Sequence, residues 1–311
     1  MPIKTIFFGS PDFALPTLNT LRNSPEIDLR AALTQPDKPA GRGKRLTPTP
    51  VKALALEFSL DCLQPASLKD ETVLPWLRHY QPDVIVVVAY GGFVPKSIRE
   101  LPKYGCVNLH PSLLPKYRGA APMQWAILNG ETMTGNSTMY LAKGWDSGDI
   151  IYQEIEPILP TDTYGSLSAR LAEKGAALIV KSLIDIDLGV APRIPQSDDD
   201  ATFAPLLQNE DAKIQWRRPA KAIHDQVRGL NPVPASFTLY QNERWKILRT
   251  EVIHEPSREP GRLITTQFNT IRVAAADAVV EILELQPAGG KPMTAAQFLR
   301  GRKLIDGVKF D

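Results

Sequence analysis

Apolar positions along this chain change period repeatedly, and the changes sort it into elements. Ile3 to Gly9 is a compact run rich in Ile and Phe, which predicts a buried strand. Pro11 to Leu21 then sets Phe13, Leu15, Leu18 and Leu21 on or near one face of a helix. Leu29 to Thr34 is a second strand. Val51, Leu54, Ala55 and Phe58 space out a helix, Val73 to Tyr80 predicts another, and the unbroken run Val84 to Ala89 is a strand buried on both faces. Cys106 to Leu109 is a short strand, and Met123 to Gly130 a helix ending at its glycine. Ser137 to Leu141 and Ile150 to Ile155 form a strand pair, and Tyr164 to Leu188 is a long amphipathic helix. Strands alternating with helices predict an α/β, Rossmann-like, mostly parallel sheet.

The pattern changes near residue 189. Gly189 to Asp200 is proline-rich and then acidic, the composition of a linker. Beyond Ile214 to Trp216 and a helix near Pro219 to Leu230 come five short strands: Ala235 to Tyr240, Trp245 to Val252, Gly261 to Thr265, Thr270 to Ala274 and Val279 to Gln286. A glycine- and proline-containing turn and a helix at Ala295 to Gly301 follow. Such spacing predicts a small β-barrel. The expected layout is a domain over 1–189, a linker over 190–208 and a second domain over 209–311.

Composition changes this picture little. Apolar content of 43% and charged content of 23% describe an ordinary soluble globular protein. Its apolar runs are too short for a bilayer, and the N-terminus lacks a signal-peptide layout. Two cysteines make no disulfide framework, which suits a reducing, cytoplasmic setting. The net charge of +2 is uneven: residues 1–208 carry −2 and residues 209–311 carry +4. That excess points only weakly to a polyanionic partner in the C-terminal third.

Four places could carry chemistry. Asn108 and His110, two apart on a strand, project together toward the strand end, where each could hydrogen-bond a developing oxyanion. Asp146, bracketed by Gly144 and Gly148, could bring a carboxylate to orient the imidazole; taken alone it reads as an ordinary turn cap. The turn Phe8 to Ala14 holds a single glycine, Gly9, so the dinucleotide fingerprint is missing and an oxidoreductase is disfavoured. The stretch Thr34 to Arg45 sets Lys38, Arg42, Lys44 and Arg45 against Asp37 alone. It reads as a solvated loop or as a basic finger that reaches phosphates. Cys106 shares the face of Asn108, where a small buried residue is expected rather than a nucleophile. The histidines show no metal-ligand spacing, so no metal is assigned.

Together, Asn108-Leu-His110, Ser112-Leu-Leu-Pro115, Tyr117-Arg-Gly-Ala-Ala-Pro122 and Asp146-Ser-Gly-Asp149 resemble the folate-dependent formyltransferases. Phe8 to Phe13, the basic stretch and the β-rich C-terminal part resemble the branch of that family acting on methionyl-tRNA, nearly end to end. The resemblance implies a formyltransferase fold with an OB-like C-terminal barrel that helps hold tRNA. It implies 10-formyltetrahydrofolate as the donor and the α-amine of methionyl initiator tRNA as the acceptor, in translation initiation. Asn108, His110 and Asp146 fall on its catalytic positions, and Ser112, Leu113, Leu114 and Pro115 on its folate-binding segment. The pterin is expected against Val88, Ala89, Tyr90 and Gly91 and the 141–146 loop. Arg42, with Lys38, Lys44 and Arg45 around it, falls in the loop that enters the acceptor stem. Expected chemistry is direct amine attack, with Asn108 and His110 on the oxyanion, in a cytoplasmic monomer with no membrane contact. Pro111 and Trp145 depart from the family pattern beside catalytic positions without replacing a reacting group. The rivals are formylation of an amino sugar on a nucleotide, which needs no basic finger, and a tRNA- or single-strand-binding protein, which leaves Asn108, His110 and Asp146 without a purpose.

Overall fold

A computed structural model describes residues 1–40, 43, 45–257, 259–265, 270–302, 304–305 and 307–311. The chain divides into two compact units. One comprises residues 1–122, 133–157 and 168–204; the other comprises 123–132, 158–167 and 205–311.

The strands of the first unit are β1 (Ile3–Gly9), β2 (Ile27–Leu33), β3 (Lys38–Ala40), β4 (Arg45–Thr47), β5 (Asp61–Leu63), β6 (Val84–Val88), β7 (Cys106–His110), β8 (Arg118–Gly119), β9 (Met133–Tyr140), β10 (Ile150–Pro157) and β11 (Phe203–Ala204). Between them in the sequence run the helices α1 (Leu15–Asn23), α2 (Pro50–Glu57), α3 (Val73–Tyr80), α4 (Lys96–Arg99), α5 (Pro122–Leu128) and α6 (Tyr164–Asp187); residues 123–128 of α5 and 164–167 of α6 fall in the second unit. Seven strands form one sheet in the order β10-β9-β7-β6-β1-β2-β5. Those from β5 to β7 are parallel, and β9 and β10 add an antiparallel edge.

Both faces of the parallel strands are covered, which is why β6 has no polar position. Ile6, Phe8, Ile85, Val87 and Cys106 pack with Val73 and Leu77 of α3 and Ile98 of α4. On the other face, Leu109 meets α6 at Gly175, where a Cβ would lie 2.5 Å from a Leu109 methyl. The strand order reverses between β1 and β6, so a crevice is expected at their carboxyl ends. Gly9 ends β1 there. A Cβ on it would sit 2.9 Å from both Val88 O and Ala14 Cβ, so the lone glycine serves close backbone approach.

Some boundaries differ from the pattern-based expectation for identifiable reasons. Pro11 to Leu21 is not one helix: Asp12–Ala14 is a 3-10 turn, and α1 starts at Leu15 with a proline in its first turn. The basic stretch forms a short antiparallel hairpin, β3 with β4. Strands of two or three residues, such as β5, β8 and β11, are too short to display a period.

In the second unit, α7 (Asn209–Ala212) and α8 (Ala220–Gly229) precede β12 (Ser236–Tyr240), β13 (Glu243–Ile253), β14 (Leu263–Thr265), β15 (Ile271–Ala274), β16 (Val279–Gln286) and β17 (Met293–Thr294), and α9 (Ala295–Gly301) follows. The sheet is antiparallel in the order β12-β13-β16-β15-β14, with β17 on β16. It curls around Trp245, Tyr240, Phe298 and Phe310, whose rings lie 4.7 to 5.6 Å from the Trp245 ring. Such spacings suit tilted and edge-on aromatic contacts. The last residues span the gap between the outer strands. Asp311 exchanges two hydrogen bonds of 3.0 Å with Leu239, and Phe310 N donates to Gly261 O at 2.8 Å. The terminal segment thereby covers edges that β12 and β14 would leave open.

Candidate active site

The alternation of β7 separates packing from chemistry. Leu109 is spent on α6, while Cys106, Asn108 and His110 point to the opposite face. Cys106 is buried with its thiol 3.9 Å from Ile98 O. Burial pushes that thiol up to about 12, so it is not a thiolate at neutral pH and acts as packing.

Asn108 lies in register between Val87 of β6 and Met139 of β9. Its amide hydrogen-bonds no protein group among the described residues. Two N–H donors at the carboxyl end of a rigid central strand are thus open to a ligand. His110 is 4% exposed, with one ring nitrogen hydrogen-bonded and the other facing a carboxylate. Nε2 is 2.9 Å from Tyr117 O, so it carries the hydrogen and donates to that carbonyl. Nδ1 is 3.6 Å from Asp146 Oδ2. The three expected catalytic residues therefore meet at one place, but of the two expected oxyanion donors only Asn108 is unencumbered among the described residues.

Asp146 is held tightly for a loop residue. Its φ is +46°, in the left-handed region that costs a non-glycine residue about 1–3 kcal/mol. Gly119 N donates to its Oδ2 at 2.9 Å. Two residues on, a Cβ at Gly148 would overlap Tyr140 O, so the loop lies on its own preceding strand only because that position is glycine. Gln196 Nε2 donates to Asp146 O at 2.9 Å and to Gly148 O at 2.7 Å. Nothing local in the sequence marks Gln196, which lies in the stretch expected to be a linker. Trp145, beside Asp146, is 71% exposed.

The expected folate residues fall into two kinds. Val88 and Tyr90 are core side chains, with the Tyr90 ring 5.6 Å from that of Phe8. Ala89 between them and Gly91 after them are exposed and have positive φ, so this turn presents backbone to solvent. In the other segment Ser112 is fully buried and donates to Lys116 O at 2.6 Å. Leu114 is buried, its N–H donating to Ser137 Oγ and its carbonyl accepting from Gln153 Nε2. Leu113 and Pro115 are half-buried. This segment spends its polar side chain internally and packs Leu114 with Met139 and Ile150.

Of the basic finger, Lys38 and Arg45 are exposed on the hairpin. Arg42 and Lys44 lie outside the described residues. The hairpin is anchored at its base, where Asp37 accepts from Gln64 Nε2 at 2.7 Å and Lys52 Nζ at 2.8 Å. No group of acidic, histidine or cysteine side chains that could hold a metal occurs among the described residues. No described helix is long and apolar enough to cross a membrane.

Comparison with known proteins agrees with this geometry. Residues 3–183 match the formyl transferase family and residues 206–303 its C-terminal domain. A methionyl-tRNA formyltransferase of Halothermothrix orenii is 44% identical over 314 residues, covering 99% of either chain. Among solved structures, the methionyl-tRNA formyltransferase of Clostridium thermocellum superposes with a TM-score of 0.56 at 18% identity, over 79% of this chain and 92% of that one. HypX of Aquifex aeolicus in complex with tetrahydrofolic acid gives a TM-score of 0.65 at 14% identity; it covers all of this chain, which spans about half (51%) of HypX. The structural likenesses establish the fold, and the full-length identity together with the two matched domains shows that this chain belongs to the formyl transferase family.

Proposed function

We propose that this protein transfers the formyl group of 10-formyltetrahydrofolate to the α-amine of methionyl initiator tRNA, the reaction that prepares the initiator for translation. The observation that carries the proposal is the Asn108 amide, without a protein partner among the described residues, beside the His110–Asp146 pair, on a chain whose full-length relatives are methionyl-tRNA formyltransferases. HypX, of the same fold, binds tetrahydrofolic acid, which supports the folate donor.

In the proposed mechanism the neutral amine attacks the formyl carbon and the carbonyl electrons move to oxygen. Asn108 donates to that oxyanion, a contact that is stronger in the transition state than in the ground state. The proton lost by the nitrogen passes to the His110–Asp146 pair, directly or through one water. His110 adds a donor to the oxyanion when its ring carries hydrogen on Nδ1. Collapse breaks the bond from the formyl carbon to folate N10, which takes a proton and leaves as tetrahydrofolate. No covalent enzyme intermediate forms, in keeping with the buried Cys106 thiol.

The pterin would lie against the backbone of Val88 to Gly91 and the 141–146 loop, with Ser112 to Pro115 as the wall. Lys38, Arg42, Lys44 and Arg45 would contact acceptor-stem phosphates. Residues 1–189 would form the catalytic domain, 190–208 the connection and 209–311 the OB-like domain that helps hold tRNA. The working form would be a cytoplasmic monomer. Formyl transfer to charged and uncharged initiator tRNA, with parent enzyme and His110→Ala, tests the reading. Transfer to the charged tRNA alone, abolished in the variant, is expected; parent enzyme that binds folate yet leaves the charged tRNA unformylated overturns it.

A further inference from the structure

Both immediate partners of His110 sit in a backbone conformation that side chains avoid. Asp146 has φ +46° and Tyr117, whose carbonyl takes the Nε2 hydrogen, has φ +60°. Neither is glycine, so something must hold each one there. In both cases the stretch from Gln196 to Ala204, which follows α6 in the chain, supplies hydrogen bonds that help hold it.

Gln196 reaches the Asp146 loop with two hydrogen bonds and Arg118 with a third. Its Nε2 donates to Asp146 O and Gly148 O, and its Oε1 accepts from Arg118 Nε at 3.0 Å. The orientation of the amide is fixed by chemistry: carbonyls only accept and a guanidinium only donates. Arg118 is buried, and its Nη1 donates to Asp198 Oδ1 at 2.7 Å. Further on, Thr202 serves Tyr117. Its Oγ1 accepts from Tyr117 N at 2.8 Å, and its carbonyl accepts from Arg118 N at 2.8 Å. The parallel pairing of β11 with β8 continues the grip. A Cβ at Gly119 would lie 2.6 Å from Ala204 O, so Gly119 must be bare to bring its N–H to Asp146.

We infer that Gln196 and Thr202 are positioning residues for the proposed reaction: Gln196 holds the Asp146 loop, and Thr202, through Tyr117, holds the His110 ring. No hydrogen bond joins either of them to His110 among the described residues. A primary amide is required at 196 because it alone offers two donors and an acceptor in that span. A hydroxyl is required at 202 because its oxygen is the acceptor that takes the Tyr117 N–H. The stretch expected to be a linker is in this respect part of the site.

The inference rests on the reaction proposed above, so its test carries one arm independent of that reaction. Gln196→Met keeps length and volume but removes all three bonds; Thr202→Val keeps shape but removes the hydroxyl; Thr202→Ser restores it. Gln196→Met and Thr202→Val should each lower kcat by about tenfold to a hundredfold, the scale for a slight misplacement of reacting groups, with KM for folate and tRNA held. Thr202→Ser should return kcat close to the parent value, which a packing role for the methyl group would not require. The second arm is hydrogen exchange at the Gly119 amide, whose acceptor is the Asp146 carboxylate; it should quicken in Gln196→Met. Loss of Gly119 protection in an enzyme whose parent forms no formylated tRNA would sustain the positioning role and reject the reaction. Unchanged protection and parent-like kcat in Gln196→Met, or a raised KM at constant kcat in both variants, overturns the inference. Should Gln196→Met fail to fold, the Thr202→Val and Thr202→Ser pair decides alone.

Discussion

Two loops of the first unit, the turn carrying Asp146 and the hairpin of β3 and β4, are built on opposite principles. The Asp146 turn is clamped along its length: Gly119 holds the carboxylate, Gln196 holds two carbonyls, and Gly148 lies against Tyr140 O. The hairpin, in its described part, is exposed and anchored at its base through Asp37. The difference follows from what each would do. Proton transfer and oxyanion stabilisation fail with small errors of position, so their groups must be preset. Phosphate attraction acts over a Debye length of about 8 Å at physiological salt, so a cationic arm needs reach more than registry.

The comparison breaks first at the chemistry. Asn108→Ala, which removes the proposed oxyanion donor, should lower kcat by about a hundredfold to a thousandfold with folate affinity kept, and His110→Ala should lower it at least as much. Single-turnover formylation measures both, and a loss under tenfold (roughly 1.4 kcal/mol) would remove either residue from the proposed mechanism.

Gly148→Ala sharpens the comparison by loosening the clamped loop without touching a reacting group. The added methyl must displace backbone, so about 1–3 kcal/mol of stability should be lost. We expect kcat to fall by about tenfold or more as Asp146 shifts. Thermal melting and kcat together test this, and an intact kcat would mean that the clamp is not needed.

At the hairpin the expected effect is smaller and of another kind. Asp37→Ala should raise KM for tRNA by about twofold to fivefold, the scale of an exposed ion pair, and leave kcat and folate KM alone. Hydrogen bonds from Gln64, then Lys52, hold the Asp37 carboxyl below its ordinary value of 3.8. A depressed carboxyl contributes its anchoring above the unfolded value and loses it as pH falls through the folded one. The anchor is therefore complete at pH 3.8 and above and lost only below, so tRNA KM near neutrality should show no step from this group. Such a step, present in the parent and absent from Asp37→Ala, would contradict the assignment.

The smallest effect belongs to Cys106. With its thiol pushed up to about 12, Cys106→Ala should leave kcat within about twofold and cost on the order of 1 kcal/mol of stability. Inactivation of the native enzyme by a thiol reagent at Cys106 would reopen covalent catalysis.

Much of this is legible in the sequence. The apolar run of β6, the i, i+2 spacing of Asn108 and His110 and the five short C-terminal strands are local patterns. Local patterns survive because side-chain direction in a strand depends only on position parity. The brevity of β5, β8 and β11 hid them, and so did the absence of any local mark on their partners. The pairing of β8 with β11 joins residues more than eighty positions apart, and the closing of the C-terminal sheet joins Leu239 to Asp311.

By itself, then, the sequence determined which residues could do chemistry, which strand carries them and where the fold changes character. Tertiary structure alone decided that Asp146 lies 3.6 Å from His110 and that Tyr117 O takes the Nε2 hydrogen. It also decided that the Asn108 amide has no protein partner among the described residues and that Gln196 holds the loop. Residue type and spacing specify donors and acceptors, but which of them pair depends on segments brought together only when the sheet packs and the chain from 196 to 204 folds back along β8.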